Sequence, residues 1–346
     1  MGVSGARVSE PPQRILVWGA GAIGGTVAAY LNSAGLDITV VDNNVRHIQA
    51  IREHGLAITG PIESFTQQMP AFTTDEIQGG WDTIFLCVKA LHTEAAARQL
   101  LPHLASGGVV VSLQNGFNEL AIAEVVGAAR TMGAFINFGA DVLEPGIVHY
   151  GGRGAVVLGE LDGRMTERLA CVHRALLHCE PAAITTDNIW GYLWGKMGYG
   201  SLLFAQALTN ASIVDTLDAK DARGVLTALA REVMAVAAAE HVNVTGFNGY
   251  DPAAFGPDGT AQAIDASFDA MAAHNRRSAK THSGVWRDIA VHHRKTEIDA
   301  QFGPVQMLAQ KHGIAVPHLD RLVALMREVE SGKRPQAWEN LDRLRP

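Results

Sequence analysis

The chain has 346 residues, of which 47% are apolar and 18% are charged, a composition typical of a folded globular protein with more than one domain. Its formal net charge of −7 argues against nucleic acid as a partner, because binding a phosphate backbone requires a basic face. The three cysteines, Cys87, Cys171 and Cys179, show no C-x-x-C spacing. This usage fits a reducing cytoplasm.

Two segments bear on membrane targeting. Residues 1–13 are small and polar and contain no apolar stretch, so we expect a disordered tail and neither a signal peptide nor an anchor. Residues 189–208 are apolar, but they contain several glycines and a central lysine and lack basic flanks. The sequence therefore favours a buried helix over a membrane span, and no membrane partner is expected.

The first predicted strand, residues 14–18, runs directly into the turn Gly19-Ala20-Gly21-Ala22-Ile23-Gly24. Residues 26–31 then have the pattern of a helix. In a turn of this kind the first glycine permits the tight bend, the second lets the backbone approach a pyrophosphate, and the third lets helix pack on strand. The helix N-terminus adds N–H donors for the anion. A glycine-rich turn that binds nothing is the alternative.

The second predicted strand, residues 37–41, ends on Asp42. An acid about 20 residues beyond the glycines is the group that accepts the ribose hydroxyls of a dinucleotide. The order of strand, turn, helix, strand and acid therefore predicts a dinucleotide site.

Strands and helices continue to alternate up to about residue 188, which predicts right-handed crossovers and a doubly wound sheet. Further predicted strands cover residues 57–59, 64–72, 83–88, 108–113, 133–140 and 147–158, and helices cover 45–54, 93–104 and 167–178. From residue 189 only helical spacing occurs, over residues 189–208, 226–240, 260–273, 286–293, 299–312 and 319–330. The predicted fold class is α/β: a Rossmann-type doubly wound domain (14–188), then an all-helical domain (189–346) for substrate binding and dimerisation. The loop 243–259 either covers a site or connects helices.

Lys196 is the only charged residue between residues 189 and 208. Burying an unpaired ammonium is costly, so this side chain must reach water, pair with an acid or meet a ligand. Helical spacing places Lys196, Gly200 and Phe204 on one stripe. A lysine on such a helix suits a proton donor, and an ion pair with an acid such as Glu297 is equally compatible.

Other polar residues occupy positions where ligands bind in α/β proteins. Asn115 and Lys89 each follow a predicted strand, at the sheet edge where ligands of open sheets lie. The alternative for Asn115 is a structural role in an Asn-Gly turn. For Lys89 the possible partners are a ribose, a phosphate or only water. Ser283 precedes a predicted helix, where a cap is the default, and Glu297 begins another, where an acid complements the helix dipole. The histidines show no ligand spacing, so no metal is predicted.

Six motifs in this order resemble the ketopantoate reductase (2-dehydropantoate 2-reductase) family, over roughly residues 14–330. The motifs are Gly19-Ala20-Gly21-Ala22-Ile23-Gly24-Gly25, Cys87-Val88-Lys89, Leu113-Gln114-Asn115-Gly116, Pro145-Gly146-Ile147-Val148-His149, Leu193-Trp194-Gly195-Lys196 and Thr296-Glu297-Ile298-Asp299. The resemblance implies a Rossmann domain, a helical domain, and hydride transfer from a nicotinamide cofactor to the carbonyl carbon of a 2-oxo acid.

The resemblance also implies roles for individual residues. Lys196 would protonate the nascent alkoxide and stabilise its charge. Asn115 would hold the substrate or the nicotinamide, and Glu297 would orient Lys196 or a substrate hydroxyl. Ser283 approximates the family serine that binds the carboxylate, although the spacing from Asp288 to Glu297 is one residue longer than the family usually shows.

Two departures from the family pattern concern specificity. Members acting on ketopantoate carry asparagines one and two helical steps after the lysine, where this chain has Gly200 and Phe204. A site without those donors no longer reads substrate hydroxyls, so an aromatic or branched 2-oxo acid is expected, as in some D-2-hydroxyacid dehydrogenases. At Asp42 the family usually has a basic residue for the 2′-phosphate of NADPH. A carboxylate there favours NAD, and Arg46 keeps NADP as the alternative.

The leading hypothesis is thus an NAD-linked, cytoplasmic 2-oxo acid reductase that forms a homodimer. One alternative is an NADPH-dependent ketopantoate reductase. The other, from a different functional class, is a dinucleotide-sensing protein without turnover, which gives no reason for the solitary Lys196.

Overall fold

The computed structural model describes residues 14–278 and 280–345, and the chain divides into two compact units. The first unit comprises residues up to 88, 92–114 and 119–185, and the second comprises 89–91, 115–118 and everything from 186. The predicted tail, residues 1–13, lies outside the described residues. The predicted domain limits at residues 188 and 189 stay a prediction. The two short segments that pack with the second unit, 89–91 and 115–118, lie within the predicted first domain.

Twelve strands occur in the described residues, all of them in the first unit. They are β1 (Ile15–Trp18), β2 (Ile38–Val41), β3 (Leu56–Thr59), β4 (Phe65–Gln67), β5 (Ala71–Phe72), β6 (Trp81–Leu86), β7 (Leu104–Ser112), β8 (Thr131–Ile136), β9 (Gly139–Glu144), β10 (Ile147–Gly152), β11 (Val156–Glu160) and β12 (Ile184–Thr185). Eight form a sheet in the order β12-β11-β8-β7-β6-β1-β2-β5. Its neighbours pair in parallel except β8 and β11.

Both faces of this sheet are covered. Ile15 and Val17 of β1 belong to one buried hydrophobic cluster, whereas the alternate residues Leu16 and Trp18 belong to another. A strand buried on both faces is a near-continuous apolar run, as a parallel sheet between layers requires. The predicted Rossmann-type fold class is confirmed.

A second, smaller sheet has the order β4-β3-β10-β9. The predicted strands 133–140 and 147–158 are wrong in extent, because each is two strands that lie in different sheets. The second break contains Gly152, with φ +147°, and Gly154, where a Cβ would lie 2.2 Å from the Asn137 carbonyl oxygen. Only glycine fits this crossing between sheets.

The described residues contain thirteen α-helices. They are α1 (Ala22–Ser33), α2 (Val45–His54), α3 (Thr93–Leu100), α4 (Asn118–Val126), α5 (Glu167–Leu176), α6 (Ile189–Ala207), α7 (Ile213–Asp218), α8 (Arg223–Ala239), α9 (Ala261–Arg276), α10 (Gly284–Ala290), α11 (Ile298–Lys311), α12 (Pro317–Glu330) and α13 (Glu339–Asp342). From residue 186 the described chain contains helices and no sheet strand, as predicted. None of the described helices is long and apolar enough to cross a membrane.

The segment 243–250 packs against three glycines on one face of α6. A Cβ at Gly191, Gly195 or Gly198 would lie 2.4 Å from the Asn243 carbonyl oxygen, 2.1 Å from that of Thr245 and 2.2 Å from the Tyr250 hydroxyl, respectively. The start of the loop 243–259 therefore packs against α6, and the glycines are what permits this close approach.

This packing predicts opposite effects for two substitutions on the same helix. Gly195→Ala places a methyl group against backbone and should lower the free energy of unfolding by about 1–3 kcal/mol. At Gly200 a Cβ meets no atom within 4 Å, so Gly200→Ala should raise it by up to about 1 kcal/mol through helix propensity. Urea denaturation of both variants measures the difference. Equal stability of the two variants would contradict the packing described.

Candidate functional site

The predicted dinucleotide turn is held by the acid at the end of β2. The Ala20 N–H donates to Asp42 Oδ2 at 2.9 Å, and the Asn44 N–H donates to Asp42 Oδ1 at 2.8 Å. Gly19, with φ +102°, donates its N–H to the Val41 carbonyl oxygen at 2.7 Å. The carboxylate and the glycine turn are thus fixed to each other by backbone hydrogen bonds.

The N-terminus of α1 has the space that a pyrophosphate requires. Gly21 is its N-cap, no described side chain caps it, and a Cβ there would meet no atom within 4 Å. Ala22 and Ile23 are partly exposed in the same turn. At Gly24 a Cβ would lie 2.0 Å from the Gly19 carbonyl oxygen, which confirms the predicted close packing of helix on strand. The residues present therefore fit a dinucleotide.

In the second unit, Lys196 contacts Asn115. Its Nζ donates to Asn115 Oδ1 at 2.6 Å. Both residues were predicted, but their contact was not, because they are 81 positions apart in the chain. The amide oxygen fixes the direction of the ammonium. That is the arrangement a proton donor needs.

Asn115 is held in a rigid turn. The following Gly116 has φ +94°, and a Cβ there would lie 3.1 Å from Gln301 Cγ on α11. The ring of Phe117, 2% exposed, lies 4.6 Å from that of Trp194 on α6. The Asn118 amide donates to the Asn115 carbonyl oxygen at 2.6 Å. This Asn-Gly turn is therefore packed on two helices, and the anchoring by Phe117 was missed by the sequence analysis.

Glu297 and Lys89 have partners within the second unit. Glu297 Oε1 accepts from the Ala90 N–H at 2.6 Å. Lys89 Nζ donates to Asp288 Oδ2 at 3.0 Å, and Asp288 Oδ1 accepts from Arg294 Nε at 2.7 Å. Asp288 thus joins two cations although Lys89 lies 199 positions away. No local spacing signals such a pairing.

The accessible stripe of α6 differs from the predicted one. Tyr192, Lys196, Gly200 and Leu203 are partly exposed. Phe204 is only 2% exposed and packs edge-on against Phe302, at 5.3 Å between ring centroids. Because a helix has 3.6 residues per turn, the seventh residue after Lys196 lies about 20° from the line that runs through Lys196 along the helix axis, and the eighth lies about 80° from it. Leu203, and not Phe204, occupies the accessible position.

Ser283 is a helix cap. It is 1% exposed, and its Oγ accepts from the Trp286 N–H at 3.1 Å at the start of α10. The structure gives this hydroxyl the default role of a cap and does not bring it to an accessible surface. Across the described residues, no three His, Cys, Asp or Glu side chains are grouped to hold a metal ion.

Comparison with known proteins gives the family. A sequence profile described as "Ketopantoate reductase PanE/ApbA" matches residues 15–163, and one described as "Ketopantoate reductase PanE/ApbA C terminal" matches residues 188–330. The chain belongs to the ketopantoate reductase family. The resemblance inferred from the motifs is confirmed. As a member of this family the protein is an NAD(P)-dependent oxidoreductase of the 2-hydroxy acid type, acting on a CH–OH group of a small acid.

Individual relatives cover nearly the whole chain. The 2-dehydropantoate 2-reductase of Halobacterium salinarum is 27% identical over 320 residues, which is 91% of this chain and 98% of that protein. Two solved structures share the fold. A PanE/ApbA family ketopantoate reductase from Ralstonia eutropha has a TM-score of 0.78 at 24% identity, covering 93% and 99% of the two chains. D-Mandelate dehydrogenase with NADH and anilino(oxo)acetate has a TM-score of 0.79 at 22% identity, covering 92% and 99%.

The turn after Asn115 predicts a functional effect that can be separated from backbone strain. Gly116→Ala and Gly127→Ala both force alanine into a positive φ, of 94° and 91°, at about 1–2 kcal/mol each. Only Gly116→Ala also meets Gln301, because a Cβ at Gly127 has no neighbour within 4 Å. We expect both variants to lose stability and only Gly116→Ala to lose NAD(P)H oxidation, by about tenfold or more. Similar turnover in the two variants would refute the positioning role of the turn.

Proposed function

We propose that the protein is an NAD-linked reductase of a 2-oxo acid whose side chain is aromatic or branched. The observation that carries the proposal is the Lys196–Asn115 hydrogen bond of 2.6 Å on the partly exposed stripe of an otherwise apolar helix. It supports a role for Lys196 as the general acid. By analogy with the family, the product is the D-hydroxy acid.

The cofactor proposal rests on the first unit. Gly19, Ala20, Gly21, Ala22, Ile23 and Gly24 would form the pyrophosphate site. The N–H groups of Gly19 and Ala20 already donate to Val41 and Asp42, so the donors to the anion would come from Gly21 onward. Asp42 would accept two ribose hydroxyls, since each of its oxygens has accepted only one backbone N–H and a carboxylate oxygen has two lone pairs. When bound, the nicotinamide supplies the hydride. A 2′-phosphate beside this carboxylate would be repelled, which favours NAD.

The acid–base proposal rests on the second unit. Donation of one N–H to Asn115 fixes the direction of the Lys196 ammonium, which would protonate the alkoxide and stabilise its developing charge. Asn115 would also contact the substrate or the nicotinamide. Glu297, held by the Ala90 N–H, would orient Lys196 or a substrate hydroxyl. Lys89, beside Asp288, is proposed as a cofactor contact.

The substrate proposal rests on the space beside Gly200. No atom of the described part of the chain, beyond the helix itself, lies within 4 Å of a Cβ at Gly200, and Leu203 is the next accessible side chain along α6. Beyond Lys196, Gly200 and Leu203 offer room and an apolar contact and carry no side-chain donor for a substrate hydroxyl. The structure of D-mandelate dehydrogenase with anilino(oxo)acetate shows that an aromatic oxo acid binds a protein of this fold. Ser283 would bind the carboxylate only if its cap at α10 opened.

A second candidate function is NADPH-dependent reduction of ketopantoate. Arg46 favours it, because this exposed residue lies in the first turn of α2, four positions after Asp42. The names of the curated relatives favour it as well. A cytoplasmic homodimer is also proposed. The three cysteines form no disulfide, and a Staphylococcus aureus ketopantoate reductase of this fold is described as dimeric.

The proposed reaction is tested by oxidation of NADH and NADPH with ketopantoate, phenylpyruvate and a branched 2-oxo acid. We expect the highest kcat/KM with NADH and an apolar acid. Lys196→Met should lower kcat by roughly 10²–10⁴-fold, whereas Lys333→Met, at an exposed lysine of the same unit, should not. Full turnover by Lys196→Met would refute the mechanism. Highest kcat/KM with NADPH and ketopantoate would establish the second candidate instead.

Cofactor choice is predicted to depend on Asp42. Asp42→Ala removes the charge beside the ribose and should shift the ratio of kcat/KM for NADH over NADPH towards NADPH by about tenfold, or ~1.4 kcal/mol. Asp37→Ala is the matched control, because this exposed acid lies just before the opposite end of β2 and the net charge changes equally. An equal shift in both variants would indicate a general charge effect.

Substrate choice is predicted to depend on Gly200. Gly200→Asn places an amide in open space one helical turn after Lys196 and restores a donor that the ketopantoate-acting members carry. We expect its preference to shift from apolar 2-oxo acids towards ketopantoate, by about tenfold in the kcat/KM ratio. Gly224→Asn, which also enters open space on a helix, is the control. An unchanged ratio in Gly200→Asn would place the substrate elsewhere.

A further inference from the structure

His47 is a buried histidine on the first turn of α2. It belongs to none of the six family motifs. It is 3% exposed, and both ring nitrogens contact backbone groups. The Gly146 N–H donates to Nδ1 at 3.0 Å, and Nε2 lies 2.9 Å from the Ala20 carbonyl oxygen. An amide N–H can only donate, so Nδ1 is the acceptor and Nε2 carries the proton. The geometry therefore requires the neutral Nε2–H tautomer.

The contact with Ala20 controls the dinucleotide turn. The Ala20 N–H is bound by Asp42 at 2.9 Å, and its carbonyl oxygen is bound by His47. That carbonyl shares a planar trans peptide with the N–H of Gly21, so the two groups point in opposite directions. Fixing the Ala20 carbonyl therefore fixes the direction of the Gly21 N–H at the N-cap of α1.

The contact with Gly146 ties the same histidine to the turn between β9 and β10. Gly146 has φ +80°, and a Cβ there would lie 3.1 Å from Ala50 Cβ on α2. His47 thus bridges two turns that lie 99 and 27 positions away along the chain. The Gly146 bond supports the fold, and the Ala20 bond orients the cofactor turn.

We propose that His47 is a positioning residue for the nicotinamide cofactor, which aims the Gly21 N–H at the pyrophosphate by holding the Ala20 carbonyl. The inference rests on the proposed binding of the dinucleotide at this turn.

Two amide substitutions separate the two contacts of His47. Asn places an acceptor where Nδ1 lies, so His47→Asn keeps the Gly146 bond and loses the Ala20 bond. Gln reaches the position of Nε2, so His47→Gln keeps the donor to Ala20. His173→Asn is the matched control, because the Nε2 of the partly buried His173 on α5 likewise contacts a carbonyl oxygen, that of Ala183, at 2.7 Å.

Calorimetric Kd values for NADH and for ADP-ribose, which keeps the pyrophosphate and lacks the nicotinamide, are the readout. We expect His47→Asn to raise both Kd values by about five- to tenfold, the effect of one lost hydrogen bond, and His47→Gln to stay within about twofold of the wild type. His173→Asn should leave both unchanged. Equal Kd values for His47→Asn and His47→Gln would overturn the inference, as would a rise for NADH alone.

Two further measurements keep the result interpretable. The ¹⁵N NMR signals of the His47 ring should show a protonated Nε2 and an unprotonated Nδ1, and the opposite tautomer would overturn the inference whatever the Kd values. Gly21→Ala, which fills the pyrophosphate space, tests the cofactor site itself. If it weakens NADH binding and His47→Asn does not, the positioning role fails alone. If neither does, the proposed cofactor site fails.

Discussion

The hydrogen bond from Lys196 Nζ to Asn115 Oδ1 sets the main constraint on the second unit. An ammonium on a mostly buried helix must be compensated, and Lys196 donates to the amide oxygen of Asn115 at 2.6 Å. The amide oxygen accepts from the ammonium and fixes its direction, which suits the proposed role of Lys196 as a proton donor. The turn at Gly116 and the packing of Phe117 on Trp194 hold Asn115 in place for this contact.

The helix that carries Lys196 has two faces with different tasks. Gly191, Gly195 and Gly198 permit the segment 243–250 to pack without space for a single added methyl group. The partly exposed stripe around Lys196 includes Gly200, where the space is open. Glycine therefore serves close packing on one face and leaves room for a ligand on the other. Composition alone shows only an apolar, glycine-rich helix.

Local chemistry was predictable and long-range pairing was not. The glycine turn and Asp42 lie within one supersecondary unit, so their spacing determines their geometry. The pairing of Lys89 with Asp288 spans 199 positions, and no local pattern specifies it. The stripe through Phe204 was predicted from steps of four residues, which drift by about 80° over two turns of a helix. Leu203 lies closer to the line of Lys196, and Phe204 is buried against Phe302. The passage of the chain from one sheet to the other near residue 154 was not predicted, because it depends on the close approach of Gly154 to the Asn137 backbone, which no local pattern indicates.

The two departures from the ketopantoate-acting pattern lie in different units. Asp42 is fixed by the backbone of the dinucleotide turn, whereas Gly200 lies on α6 and is fixed by nothing beside it. Substitutions at sites without shared partners have nearly additive effects. With the proposed roles of Asp42 and Gly200, choice of cofactor and choice of acid would therefore change separately. A substitution at Gly200 meets open space, whereas one at Asp42 also releases the Ala20 N–H. On this proposal substrate specificity would be the easier of the two properties to alter.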